Sequence, residues 1–157
     1  MKNTILLTLF LFVLGCEKED GLAPNEIMGD EGQFGLQIEV SGFEDLDGNL
    51  AIAIFDNEED FASGQTAYLD TVLPVVAYEM SVYIESVDPG VYAVSVFHDA
   101  DQSGDITLGG FLNLVPQEGF GFSNNPDIGM SQPNYGDCDF GFSGDQLLLV
   151  PIDLVYF

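Results

Sequence analysis

Apolar residues recur at every second position in a series of short runs, and that spacing restricts the chain to strands with one buried face. Leu36, Ile38 and Val40 form the first run and Leu50, Ile52 and Ile54 the second, with turn residues between Gly42 and Gly48. Met80, Val82 and Ile84 make a third, Asp88-Pro89-Gly90 supplies turn chemistry, and Tyr92, Val94 and Val96 continue beyond it. Each of these two pairs is expected to be a hairpin. Phe140 and Phe142 precede Leu148, Val150, Ile152, Leu154 and Tyr156, with Ser143-Gly144-Asp145 as the intervening turn. Pro151 cannot donate to a ladder, which places it at an edge or a bulge. No later stretch carries a helical period. About seven short strands separated by turn clusters predict an all-β fold, an antiparallel β-sandwich. From Leu108 to Tyr135 the pattern fades into Gly, Asn, Pro and Phe, which reads as a long ordered loop with room for short strands.

The two ends of the chain differ in kind. Lys2 supplies a positive start, Thr4 to Leu14 are almost wholly apolar, and Gly15-Cys16 closes the run. A permanent span needs about 20 residues, so residues 1–15 read as a signal peptide that is removed. Val13-Leu14-Gly15-Cys16 resembles the lipobox of bacterial lipoproteins, which implies lipid on Cys16 and a chain held on a membrane without crossing it. Residues 16–32 are polar and acidic, a flexible tether. Within them Lys18-Glu19-Asp20 resembles the signal that sends Bacteroidota lipoproteins to the outside of the outer membrane, although an acidic linker also produces such a triplet by chance. Residues 33–157 form the sandwich domain.

Charge narrows the choice of partners. The chain carries 27 Asp plus Glu against only two basic residues, Lys2 and Lys18. Such a field repels nucleic acid and attracts cations. The 46% of hydrophobic residues exceeds what a disordered acidic tail carries, so a packed core is expected. With Cys16 lipidated, Cys138 has no disulfide partner and is expected to be a small buried hydrophobe in step with Phe140 and Phe142.

The sharpest local pattern is Asp99-Ala100-Asp101-Gln102-Ser103-Gly104-Asp105-Ile106-Thr107. Calcium loops place oxygen side chains at alternate positions, bend at a glycine and take a backbone carbonyl next. Asp99, Asp101 and Ser103 match the side-chain positions, Gly104 the bend, and the carbonyl of Asp105 the fourth ligand. Gly110 stands where an EF-hand carries its bidentate glutamate, and the flanks read as strands, so an EF-hand is excluded. A Ca²⁺ loop here needs outside oxygens, with Glu118, Asp137 and Asp139 as candidates. The alternative is an acidic turn that binds nothing. Asp45-Leu46-Asp47-Gly48-Asn49 matches the pattern less well and reads as a plain turn.

Catalysis needs a positioned base, an activated nucleophile and donors for developing charge. Beyond Lys18 the chain offers one histidine, His98, and no lysine or arginine. His98 is in phase with Tyr92, Val94 and Val96 and reads as a satisfied strand-end residue, or as a brace for the Asp99 loop. Zinc-type spacings, a G-x-S-x-G elbow and a phosphate-binding glycine loop are all missing from the sequence, so no enzyme is expected.

Tyr92-Ala93-Val94 through Phe97-His98-Asp99, the Asp99 loop, Pro116 to Asn125 and Pro133 to Phe140 resemble the bacterial domain of unknown function 2141. The resemblance implies an exported β-sandwich similar to transthyretin-like or Ig-like modules, which also use Pro-Gly-x-Tyr to begin a strand. Thr107 stands where the family tends to have Asp, and the stretch from Ile106 to Pro116 is slightly longer; both reduce the ligand count of the loop. The combined expectation is a noncatalytic envelope or cell-surface module, anchored in the outer membrane by lipid, with a Ca²⁺-ordered loop. Glu118, Phe120, Phe122, Asn124 and Asn125 would form an exposed face for a protein or glycan, and no nucleic acid would bind. A structural lipoprotein without metal and a metal-assisted hydrolase are the alternatives.

Overall fold

A computed structural model describes residues 34–109, 115–129 and 132–157, so the expected signal peptide, Cys16 and the expected tether lie outside the described residues. The strands are β1 (Gly35–Ser41), β2 (Asn49–Phe55), β3 (Leu69–Pro74), β4 (Glu79–Glu85), β5 (Gly90–Asp99), β6 (Leu108–Gly109), β7 (Val115–Pro116), β8 (Phe120–Phe122), β9 (Phe140–Phe142) and β10 (Leu147–Asp153). One sheet has the order β10-β1-β4 and the other β3-β2-β5-β8, with β9 also paired to β5 and β6-β7 a small separate ladder. The fold is the expected all-β sandwich, with antiparallel pairing throughout except for β1 and β10, which run parallel.

The expected inward faces are the observed ones. Leu36, Ile38 and Val40 of one sheet and Leu50, Ile52, Ile54, Val94 and Val96 of the other all lie buried in the main core. The two expected hairpins do not form. β1 pairs with β10 and β4, and β2 pairs with β3 and β5, so the segment after Gly42 crosses from one sheet to the other. The Asp88-Pro89-Gly90 turn likewise carries the chain from β4 to β5 across the sandwich. A period of two fixes which face of a strand is buried; it does not choose the neighbour on its edge. Tyr92 steadies this crossing, its hydroxyl donating to the carbonyl of Asp88 at 2.8 Å, and burial pushes its pKa up to about 12. Pro151 sits on β10, an end strand of its sheet, as its missing N–H requires.

A second core covers part of the far side of the β2-β5 sheet. Phe55, Phe61, Ala93, Phe120, Phe122 and Cys138 are buried together there. Two short helices hold it, α1 (Glu58–Ser63) and α2 (Tyr135–Cys138), where the sequence was expected to carry none. The side chain of Asn57 accepts the N–H of Asp60, three acidic residues occupy the first turn, and Gly64 ends α1 at a φ of 64°. Cys138 is buried as expected, but at the end of α2, out of step with the β9 strand. Its thiol is pushed up to about 11, first by burial and then by Asp137 and Asp139. Such a thiol is inert at neutral pH.

Candidate metal centre

β5 ends at Asp99, and the chain turns at once. Ala100 N–H bonds back to the carbonyl of His98, and Gln102 and Gly104 take left-handed conformations at φ of 57° and 82°. The carboxylate of Asp99 accepts the N–H groups of Ser103 at 2.9 Å and Gly104 at 3.1 Å. Asp101 accepts the N–H of Ser103 at 2.9 Å and the hydroxyl of Thr107 at 2.8 Å. Those bonds, from Ser103 foremost and then Thr107, hold the Asp101 carboxyl below its ordinary value. Thr107 thus ties down the Asp101 carboxylate.

Glu118 arrives from the far side of the turn. The β6-β7 ladder and the bond from Gln117 N–H to the carbonyl of Thr107 bring residues 115–118 alongside the loop. One oxygen of Glu118 accepts Ala100 N–H and the other Thr107 N–H, both at 2.9 Å. Asp99 and Glu118 are buried and Asp101 is exposed at the mouth. Oxygens of all three carboxylates lie within 4.8 Å of one another. At such a separation the carboxylates repel one another, and no Lys or Arg occurs among the described residues to offset it. Each carboxylate oxygen has two lone-pair directions, so one N–H leaves room for a cation on the same atom. The group fits a hard divalent ion, which takes oxygen ligands.

The remaining expected site residues divide. Ser103 and Asp105 engage each other, the Ser103 hydroxyl donating to the carbonyl of Asp105 at 2.7 Å. Asp137 and Asp139 flank Cys138 at α2 and are not in the acidic group. Phe120 and Phe122 are not exposed: they are packed into the second core, with Phe157 stacked on Phe120. Asn124 and Asn125 are exposed, yet both amides are used, Asn124 donating to the carbonyl of Asp139 and Asn125 bridging to β10. His98 is buried and braces the neighbouring turn. Its Nε2 lies 2.6 Å from the carbonyl of Asp47, to which it donates, and Nδ1 lies 2.8 Å from the Tyr156 hydroxyl.

Residues 38–148, from β1 into β10, match the family described as Uncharacterized protein conserved in bacteria (DUF2141). The chain belongs to this family. The matched region holds the whole acidic centre, the Asp99 loop and Glu118 together. No curated protein and no solved structure matches the sequence.

Proposed function

We propose that this DUF2141 domain is a noncatalytic module, held on the outer membrane by lipid on Cys16, whose Asp99 loop binds Ca²⁺ and is ordered by it. The observation that supports the metal most is the convergence of Asp99, Asp101 and Glu118 from two segments, within 4.8 Å and with no Lys or Arg among the described residues. Extracellular modules bind Ca²⁺ with dissociation constants of about 10⁻⁴ to 10⁻³ M, so millimolar calcium adds on the order of 1 kcal/mol to stability. That is enough to order a loop. His98 is buried, with both ring nitrogens hydrogen-bonded within the fold, which supports a structural role for it.

A second reading rests on one observation. Every carboxylate of the centre already accepts a backbone N–H, so the turn has internal bonds that hold it without an ion. Thermal melting in chelator and in millimolar Ca²⁺ separates the two readings. A rise of about 3 to 5 °C with calcium supports the metal site, and equal melting temperatures support the self-sufficient turn. The anchor is tested apart from the loop: Cys16→Ser should move the chain out of the membrane fraction, and retention there would refute lipidation.

A further inference from the structure

The two sheets meet along one side of the sandwich, where β10 lies beside β8 and shares a groove with Phe140 of β9. One half of this seam is closed. Phe120 and Val155 exchange both backbone hydrogen bonds, at 3.1 and 2.9 Å, and Gly121 leaves β8 room to approach Ile152 and Asp153. Asn125 accepts the N–H of Asp153 at 2.9 Å and donates to the carbonyl of Pro151 at 3.4 Å. Its side chain thus meets β10 as a residue of a neighbouring strand would.

The other half is open among the described residues. Gly35 N–H donates to the carbonyl of Gln146 and Leu154 N–H to that of Ser41, so the even-numbered residues of β10 carry the parallel ladder to β1. The odd-numbered residues turn their backbone groups outward. Pro151 has no N–H and Asp153 is taken by Asn125, but Leu147 and Leu149 have no backbone partner on this edge among the described residues. Beside them runs a groove of about 320 Å³, bounded by Phe140, Leu148, Pro151, Asn124 and Asn125. Phe140 and Leu148 pack against the main core yet remain only partly buried, so the core is left uncovered along this groove.

We propose that this open half of the seam takes an extended, cationic segment of a partner polypeptide as an added strand on β10. Main-chain bonds to Leu147 and Leu149 would hold the segment, and an apolar side chain would cover Phe140 and Leu148. Charge selects the partner. Asp145, in the turn before β10, and Asp153, at its end, are exposed, and the chain has a formal net charge of −25. A second copy would set like charge against like, whereas lysines or arginines beside the apolar residue are attracted. Strand addition does not depend on a metal at the Asp99 loop.

The test uses the full chain in nonionic detergent and a short peptide of alternating lysine and valine, with amide hydrogen exchange and binding measured in chelator. The peptide should slow exchange at Leu147 and Leu149 by about tenfold or more. N-methylation of alternate peptide nitrogens should weaken binding by about tenfold, through lost main-chain bonds. Leu149→Pro should weaken it similarly, since it removes an N–H that the β1 ladder does not use. Asp70→Asn on β3, at the far edge of the other sheet, should change little. The idea is overturned if the N-methylated peptide or polylysine binds equally well, if protection falls on the β4 edge instead, or if no peptide binding occurs. Because the N-methylated probe leaves the protein unaltered, the result stands even where Leu149→Pro fails to fold.

Discussion

Two Asp- and Gly-bearing turns lie side by side at one end of the sandwich: residues 45–49, which lead into β2, and residues 99–107, which leave β5. They touch at Gly48, whose φ of 72° and lack of a side chain let it sit against Asp99 and Ala100. In the first turn Asp45 accepts the N–H of Asp47, two residues on, and the carbonyl of Asp47 goes to His98. In the second, Asp99 and Asp101 meet Glu118, which comes from another segment. Acidic composition is common to both turns. The centre is made by the distant residue, because β6 and β7 pair and bring it across.

The largest effect should come from breaking the contact between the turns. Gly48→Ala forces a methyl against the backbone of Asp99 and Ala100 at a positive φ, and should cost about 2 to 4 kcal/mol in denaturant unfolding. Next is Glu118→Gln. Both Glu118 oxygens receive N–H donors, so an amide would set its NH₂ against one of them; a loss of about 1 to 3 kcal/mol is expected even in chelator. A smaller effect, on the order of 1 kcal/mol, is the stabilisation of the wild type by millimolar calcium, read as a melting shift. The smallest is Asp45→Ala, which should change stability by about 0.5 kcal/mol or less and leave any calcium response intact. A large calcium effect of Asp45→Ala would erase the distinction between the turns.

Much of this molecule is legible as faces and little of it as neighbours. Leu36, Ile38, Leu50 and Ile52 all fall inward as their spacing requires, yet their strands share no sheet edge, since alternation is the same whichever strand lies alongside. α1 escapes a periodicity argument because it spans only Glu58–Ser63; its signal is Asn57 before three acids with Gly64 behind. Phe120 and Phe122 are buried although they stand in a Gly- and Asn-rich stretch, and the sign was present in the repeated triplet Phe-Gly-Phe, at 120–122 and 140–142, both of which pair with β5. Within the site, Asp99 and Asp101 follow from local spacing. Glu118 could be named as one of three candidates only, because the β6-β7 ladder that selects it is two residues long on each strand.

Calorimetric titration of Ca²⁺ into the wild type and into Asp101→Asn addresses the centre most directly. Asn at this position keeps the loop's hydrogen bonds, because its carbonyl can accept from Ser103 while the Thr107 hydroxyl rotates to receive its NH₂. The wild type should show saturable binding with a dissociation constant of about 10⁻⁴ to 10⁻³ M, weakened about tenfold in the variant. Absence of saturable heat, or identical isotherms for the two proteins, would contradict a calcium centre at Asp99, Asp101 and Glu118.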